Sequence, residues 1–151
     1  MSAEVRPVHD AAELQSALAV RRAVFVEEQR VPPQIEVDPF DPVSLHAVAV
    51  AAQRGAVGTG RLLPDGHIGR LAVLAWARGT GVGTLLLRAL MQQAAQAGHR
   101  EVVLNAQMHA VPFYARHGFS VHGMPFDDAG IVHVTMRAPS GRYPDEPSER
   151  R

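Results

Sequence analysis

Three short apolar runs joined by two tight turns constrain the fold of this chain most strongly. The runs cover residues 45–52, 56–63 and 67–74. The segments that separate them, Gln53-Arg54-Gly55 and Pro64-Asp65-Gly66, have the composition of turns. Because a parallel crossover needs roughly a dozen residues or more, connections this short predict an antiparallel meander of three strands.

Helical periodicity replaces the strand pattern after the meander. Apolar residues from 81 to 97 recur at helical spacing and Gly98 follows as a stop signal, so this range is predicted to be a helix. The remaining elements are predicted as a buried strand at 101–107, a short helix at 110–117 ended by Gly118, and strands at 119–123 and 131–137.

The N-terminal part of the chain predicts a helix followed by a loop. Residues 10–28 carry an amphipathic pattern, with Asp10 as the N-cap and Glu13 in the position of a capping box. Four prolines then occur between residues 32 and 42, and prolines at this density exclude a long helix or a central strand. We therefore expect a loop that contains short helical turns.

Length and composition exclude several classes of protein. A chain of 151 residues fits one domain, which we place at 1–138, and the proline-rich, charged segment 139–151 is expected to form a disordered tail. Basic and acidic residues number 15 each, so no net field favours nucleic acid as a partner. The chain has no cysteine, no metal-ligand spacing among its eight histidines and no apolar window long enough for a membrane span. We expect a cytoplasmic protein that uses no metal.

Seven residues between the third apolar run and the helix carry the strongest chemical signal. They are Arg78-Gly79-Thr80-Gly81-Val82-Gly83-Thr84. A helix N-terminus presents backbone N–H groups and partial positive charge, and glycines let phosphate oxygens approach them, so this loop is able to hold a diphosphate. A purely structural turn would use the same glycines.

Two other phosphate-binding motifs fit the loop poorly. A nucleotide-hydrolysing P-loop has a lysine after its last glycine, whereas Thr84 follows Gly83 here. A dinucleotide-binding fingerprint belongs to a first βαβ unit, whereas these glycines follow three strands that are predicted to be antiparallel. Glu101 lies about as far along the sequence from the glycines as the acidic residue of a dinucleotide-binding fold does. The predicted strand topology is therefore the argument against a dinucleotide-binding site.

Three segments of the chain resemble one protein family. RGTGVGTLLL, from residue 78, is similar to the acyl-CoA-binding motif of GNAT acetyltransferases, and FYARHGF, from residue 113, is similar to the segment after the fifth strand of that fold. A third stretch, RAVFVEEQ from residue 22, followed by Glu36, Asp38, Asp41 and His46, resembles the ElaA-like or YjcF-like branch. The likeness extends from Val5 to Arg137, so it implies that the domain 1–138 is a GNAT acetyltransferase domain.

The resemblance implies an α/β (α+β) fold, with a mixed, mostly antiparallel twisted sheet of roughly six to seven strands and about four flanking helices. The sheet would open between its fourth and fifth strands to admit the pantetheine arm of acetyl-CoA. The implied cofactor site comprises the backbone of Leu71, Ala72 and Val73 along the arm, the segment Arg78, Gly79, Thr80, Gly81, Val82, Gly83 and Thr84 at the diphosphate, and Asn105 and Tyr114 beside the arm.

The resemblance also implies direct transfer of an acetyl group from acetyl-CoA to a primary amine in a ternary complex. Tyr114 would donate a proton to the departing sulfur, since a phenol with an ordinary pKa of about 10 stays protonated at neutral pH. Residues expected to border the acceptor are candidates for the general base: Glu28, Glu36, Asp38, His46 and His133. From this group we take Glu36 and His46 forward as catalytic residues.

Other functions fit the same motifs. The chain could be a non-catalytic acyl-CoA sensor or interaction module, and the acceptor could be a peptide, with a protein lysine or N-terminus as its amine. The acidic residues between 27 and 41 hint at a cationic acceptor such as a polyamine. The apolar strand at 131–136 would offer a pairing surface for a homodimer if it lay at an exposed sheet edge.

Overall fold

The computed structural model describes residues 2–140. The chain divides into two compact units, which meet in sequence between Leu90 and Met91. Among the helices of the described residues, none is both long and apolar enough to cross a lipid bilayer.

The first unit is built on an antiparallel sheet with the strand order β1-β2-β3-β4. Its strands are β1 (Ala3–Pro7), β2 (Leu45–Ala51), β3 (Gly55–Leu62) and β4 (Ile68–Val73). The predicted three-stranded meander is confirmed as β2 to β4, within one residue at each end. β1 was not predicted, because this five-residue segment becomes a strand only through its pairing with β2, where Val5 lies opposite Ala49.

The first helix of this unit begins within one residue of its predicted start, and the predicted range 10–28 contains two elements instead of one. The helices are α1 (Ala11–Arg21), a π-helix (Arg22–Glu28) and α2 (Pro33–Glu36), and 3-10 turns follow at Asp41–Val43 and Ala75–Ala77. The Asp10 side chain accepts a hydrogen bond from the Glu13 amide at 2.8 Å, which confirms the predicted N-cap. The Glu13 carboxylate accepts from the His9 amide at 3.3 Å, so the reciprocal bond of the capping box reaches one residue further back.

The long helix after the meander is α3 (Val82–Gln96), one residue shorter at each end than predicted. Val82, Leu86 and Leu90 are buried, at the spacing that places them on one face of the helix. Gly98 follows the helix with a φ of +93°, the left-handed conformation expected of a helix stop.

The second unit contains a sheet in which β8 is the central strand. Its elements are β5 (Glu101–Gln107), a 3-10 turn (Met108–Ala110), α4 (Val111–Ala115), β6 (Ser120–Val121), β7 (Phe126–Asp128) and β8 (Ile131–Pro139). β5 lies on one side of β8, and β6 and β7 pair with β8 as well. β7 and β8 form a hairpin through Ala129-Gly130, whose φ angles of +55° and +81° favour the short turns that join antiparallel strands.

Three predictions for the second unit need correction. The strand predicted at 119–123 is only two residues long, and the β7 hairpin was missed, so residues 2–140 form eight strands rather than six to seven. The proposed free edge at 131–136 is wrong, because β8 has paired neighbours on both sides. β8 also extends through Pro139, opposite Glu101, and the remainder of the predicted tail, 141–151, lies outside the described residues. The mixed α/β class itself is confirmed.

Candidate active site

The glycine segment forms an exposed loop at the start of α3. Gly79 and Gly81 have φ angles of +77° and +90°, which side-chain-bearing residues rarely adopt. A Cβ atom at either position would meet nothing within 4 Å, so the space above the loop backbone is open. The Leu85 amide donates to the Gly81 carbonyl at 3.1 Å, and an α-helix leaves the amides ahead of this first bond, at Val82 and Gly83, for other acceptors.

Two glycines on β3 allow the start of α3 to lie close to the sheet. A Cβ atom on Gly58 would come within 2.8 Å of Leu86 Cδ1 and 3.0 Å of Val82 Cγ1, and one on Gly60 within 2.7 Å of Leu90 Cδ1. These glycines therefore fix the position of the helix and of the loop before it. These two glycines were not among the predicted site residues, although glycine inside a strand is a recognised signal of close approach by another backbone.

The backbone of β4 presents hydrogen-bonding groups at the edge of the first sheet. The Leu74 amide donates to the Val57 carbonyl on β3 at 2.9 Å. Because successive residues of a strand direct their backbone groups to opposite sides, Ala72 faces β3, whereas Leu71 and Val73 face the open edge, where β4 pairs with no other strand among the described residues. The three residues predicted to follow the pantetheine arm thus include two with their backbone groups on the edge where such an arm would pair.

Arg78 is engaged by a carboxylate and a carbonyl of the first unit. Its Nη1 and Nη2 donate to the two oxygens of Glu28 at 2.7 and 2.6 Å, and its Nε donates to the Val73 carbonyl at 2.9 Å. The hydrogen bonds with Glu28 raise the pKa of Arg78, and those with Arg78 lower the pKa of Glu28. The positive charge that we expected at the diphosphate is therefore paired with Glu28.

Tyr114 lies on α4 within a small aromatic cluster. Its ring contacts Phe113 and Phe119 edge-on, with centroid distances of 5.1 and 5.8 Å. Gly118, with a φ of +90°, reverses the chain after α4, and the Phe119 amide then donates to the Tyr114 carbonyl at 3.2 Å. The Phe-Tyr-x-x-x-Gly-Phe spacing thus orders the tyrosine, because the glycine brings the second phenylalanine back against its ring.

Burial reinforces the protonated state of the Tyr114 hydroxyl. Removal from water raises the pKa of Tyr114 to about 12, because the phenolate loses more solvation than the phenol does. At neutral pH the hydroxyl is therefore protonated and able to donate. Asn105, on β5, is exposed, and its Oδ1 accepts a hydrogen bond from Thr135 Oγ1 on β8 at 2.9 Å.

Glu36 lies in a buried cluster of charged side chains in the first unit. Its side chain is 4% exposed, and Oε2 accepts from Arg21 Nε at 2.7 Å. Arg21 is 1% exposed, and its Nη1 donates to Asp41 Oδ1 at 2.7 Å. Burial lowers the pKa of Arg21, but its hydrogen bonds with Asp41 and Glu36 outweigh that effect and raise it overall.

Two more arginines complete this cluster. Arg61 donates to Asp38 and to Asp41 at 2.7 and 2.8 Å. Arg70 donates to the Glu36 carbonyl at 2.9 Å and to Asp38 Oδ2 at 3.2 Å, from a backbone φ of +50° at an irregularity of β4. The hydrogen bond with Arg61 lowers the pKa of Asp38. Burial raises the pKa of Asp41, but its pairing with Arg21 and Arg61 lowers it overall.

The cluster accounts for three of the five carboxylates behind the hint of a cationic acceptor, which weakens that hint. Glu36, Asp38 and Asp41 are matched by three arginines from α1, β3 and β4. Three negative charges that seemed available to a polyamine are therefore neutralised inside the protein. The sequence contained one signal of this cluster, because Arg61 interrupts an apolar strand and a buried charge there needs a partner of opposite charge.

The two histidines among the base candidates each donate to a carbonyl. Buried His46 places Nε2 at 2.9 Å from the Asp41 carbonyl, and His133 places Nδ1 at 2.7 Å from the Ile131 carbonyl. A carbonyl only accepts, so each of these nitrogens carries a proton. The proton-accepting nitrogen is consequently Nδ1 in His46 and Nε2 in His133.

A cavity of about 280 Å³ lies beside the first helix and the proline-rich segment. It is lined by Gln15, Leu18, Ala19, Arg22, Val26, Pro33, Glu36 and Val37. The lining is largely apolar. With Glu36 paired to Arg21, Arg22 contributes the exposed charge among these lining residues.

One group of potential metal ligands occurs among the described residues, at the start of α1. The ligand atoms of His9, Asp10 and Glu13 lie within 4.8 Å of one another. Glu13 accepts from Arg6 Nε at 2.9 Å and lies 2.8 Å from His9 Nδ1, while Asp10 caps the helix. These contacts give the group a role in starting α1.

Comparison with known proteins identifies the family. The family model of the acetyltransferase (GNAT) domain matches residues 19–139. The uncharacterized N-acetyltransferase YjcF of Bacillus subtilis is 41% identical over 128 residues, which cover 82% of this chain and 91% of YjcF.

Solved structures agree with this match. An acyl-CoA N-acyltransferase from Pseudomonas aeruginosa has a TM-score of 0.80 and 32% identity, over 91% of this chain and 99% of that one. ElaA of Escherichia coli has a TM-score of 0.79 and 27% identity over the same shares of the two chains. With its glycine loop at the start of α3 and its Phe-Tyr-x-x-x-Gly-Phe turn, the chain belongs to the GNAT acetyltransferase family, in the branch of YjcF and ElaA.

Proposed function

We propose that this acyltransferase moves an acetyl group from acetyl-CoA to the primary amine of a small molecule, by direct attack in a ternary complex. The observation that carries the proposal is the open glycine loop at the start of α3, next in sequence to a strand with an open edge. A diphosphate needs clustered amides, and an extended pantetheine arm needs a strand edge with which to pair.

The residues fit such a cosubstrate. The diphosphate would lie on the backbone of the glycine loop, and the arm would pair with Leu71 and Val73, whose backbone groups face the edge of β4. Ala72 would contribute packing, because its backbone faces β3. Asn105 would lie beside the arm. The proposed contacts to the diphosphate come from Arg78, Gly79, Thr80, Gly81, Val82, Gly83 and Thr84.

The reaction needs one acid and one base. The neutral amine attacks the thioester carbonyl, a C–N bond forms, and the C–S bond breaks as the carbonyl re-forms. A backbone amide near Val73 would stabilise the charge that develops on the carbonyl oxygen. Tyr114 would give its proton to the sulfur, and its raised pKa of about 12 keeps that proton in place until the thiolate develops.

The contacts of the base candidates support a revised assignment. The Glu36 carboxylate is buried against Arg21 and Arg70, which argues against Glu36 as the base. His46 and His133 are both buried, and each donates one ring nitrogen to a carbonyl and keeps the other able to accept a proton. We propose that one of these two histidines accepts the amine proton, directly or through a water molecule.

The proposal is tested by thiol release from acetyl-CoA in the presence of a panel of primary amines. Tyr114→Phe is expected to lower kcat about 100-fold, the usual contribution of a general acid, with the Kd for acetyl-CoA unchanged within about twofold. Tyr143→Phe, at the chain's other tyrosine, is the matched control and should leave kcat unchanged. If Tyr114→Phe turns over like the wild type, Tyr114 is not the acid. If acetyl-CoA binds but no amine, free or in a peptide, is acetylated, the chain is an acyl-CoA sensor instead.

A further inference from the structure

We propose that Glu28 occupies Arg78 in the free protein and that binding of CoA requires the guanidinium to exchange this carboxylate for the diphosphate. The inference rests on the proposed function, since it concerns regulation of the same cofactor site. It assigns Glu28, first considered as a base, a positioning role that acts through Arg78.

The geometry of the pair is that of anion recognition. Both terminal nitrogens of Arg78 meet both oxygens of Glu28, at 2.7 and 2.6 Å. A guanidinium uses the same two-pronged arrangement for carboxylates and for phosphates. The Glu28 carboxylate therefore takes the place on the guanidinium that a phosphate group would take.

Arg78 is held at the cofactor site by a third contact. Its Nε donates to the Val73 carbonyl at 2.9 Å, and Val73 directs its backbone to the open edge of β4. Gly79, the next residue, begins the glycine loop. The Arg78–Glu28 pair thus lies where the proposed pantetheine and diphosphate positions meet, rather than on an unrelated surface.

The π-helix fixes the position of Glu28. Val24 is buried in a cluster with Ala72 of β4, and the Gln29 amide donates to the Val24 carbonyl at 3.0 Å. Arg22 and Glu27 are five residues apart, and Arg22 Nε lies 3.8 Å from Glu27 Oε2, as the wide turn of a π-helix allows. Glu27 is thereby directed to Arg22, whereas Glu28, the last residue of the π-helix, faces Arg78.

The pair is weak enough to exchange. The side chains of Arg78 and Glu28 are 42% and 44% exposed, so water can solvate each charge when the pair opens. A diphosphate carries more negative charge than a carboxylate and also reaches the amides of the loop. Binding of CoA should therefore displace Glu28. Loss of the interaction between Glu28 and Arg78 then lowers the affinity for CoA.

The test is calorimetric titration of CoA into the wild type and four variants: Glu28→Gln, Glu27→Gln, Arg78→Gln and the double variant Glu28→Gln/Arg78→Gln. Loss of the competing carboxylate should lower the Kd for CoA about three- to fivefold in Glu28→Gln, the range expected from an exposed pair. Glu27→Gln removes an equal charge one residue away and should leave the Kd within about 1.5-fold. Far-UV circular dichroism verifies that each variant is folded.

The double variant separates exchange from simple repulsion. If Glu28 acts through Arg78, Glu28→Gln has no effect on the Kd once Arg78 is already Gln. Pantetheine lacks the diphosphate, so the Kd for pantetheine should be the same for the wild type and for Glu28→Gln. An unchanged or higher Kd in Glu28→Gln overturns the inference, as does an equal gain in the Arg78→Gln background. If the wild type does not bind CoA at all, the proposed function fails instead.

Discussion

Arginine–carboxylate pairs occur in two settings within the first unit, and their burial separates their roles. In the cluster of Arg21, Glu36, Asp38, Asp41, Arg61 and Arg70 the side chains are 1–27% exposed, whereas those of Glu28 and Arg78 are 44% and 42% exposed. The hydrogen-bond distances are nearly the same in both, at 2.6 to 3.2 Å. Contact geometry alone therefore does not distinguish a structural pair from an exchangeable one.

The difference lies in the cost of leaving one partner alone. A buried carboxylate that loses its arginine stays in a medium of low dielectric constant without compensation, so the cluster must remain intact. An exposed carboxylate that loses its arginine is solvated by water instead. The buried cluster is accordingly expected to hold the segment around α2 in one conformation, whereas Glu28 and Arg78 are free to change partners during binding.

The largest effect is expected from opening the buried cluster. Arg21→Met keeps the length of the side chain but removes the nearest arginine of Glu36 and one of the two arginines of Asp41, and should lower the free energy of unfolding by about 3–5 kcal/mol. Arg22→Met, at the exposed neighbouring position, should change it by no more than about 0.5 kcal/mol. Urea denaturation of the two variants compares them directly. Similar losses of unfolding free energy in Arg21→Met and Arg22→Met would contradict the distinction between buried and exposed pairs.

Acid should weaken the buried cluster by protonating its aspartates. The pKa values of Asp38 and Asp41 are lowered in the folded state by their arginines, so these pairs stabilise the fold fully above the ordinary aspartate pKa of about 3.9. Their contribution is lost as the pH falls below that value and through the lowered pKa values. Unfolding free energies measured from pH 6 downwards should therefore decrease towards pH 3, less steeply in Arg21→Met. Equal slopes in both proteins would contradict this assignment.

The smallest effect on stability is expected at the exposed pair. Glu28→Gln should change the free energy of unfolding by less than about 1 kcal/mol, because exposed ion pairs contribute about that much at most. Thermal unfolding of Glu28→Gln, with Glu27→Gln as the control, provides the measurement. A loss comparable with that of Arg21→Met would mean that Glu28 and Arg78 form a structural pair, and the exchange with a diphosphate would lose its basis.

Local patterns in the sequence predicted most of the elements correctly. β5 was predicted at its observed bounds and α3 within one residue at each end. Side-chain periodicity and a stop glycine depend only on residues that are close in sequence, so both signals can be found without long-range contacts. The π-helix was missed, since its wide turn arises from packing against β4 rather than from local preference. β1 depends on its pairing with β2 and carries a weak pattern of its own.

The candidate site was less readable from sequence, for a physical reason. The glycine loop and Tyr114 belong to contiguous motifs, so they could be found without knowing any long-range contact. The roles of Glu28 and Glu36 depend on arginines that lie 50 and 15 residues away, at Arg78 and Arg21. Only the folded chain reveals which carboxylates those arginines engage.

The central claim is that the backbone at the start of α3 binds the diphosphate of acetyl-CoA. Gly81 has a φ of +90°, so Gly81→Val would distort the loop, whereas Gly69→Ala adds a Cβ atom that meets nothing within 4 Å and serves as the control. Titration calorimetry should show the Kd for acetyl-CoA rising about tenfold or more in Gly81→Val, the scale of such backbone strain, and staying within about twofold in Gly69→Ala. An unchanged Kd in Gly81→Val would place the diphosphate elsewhere and contradict the claim.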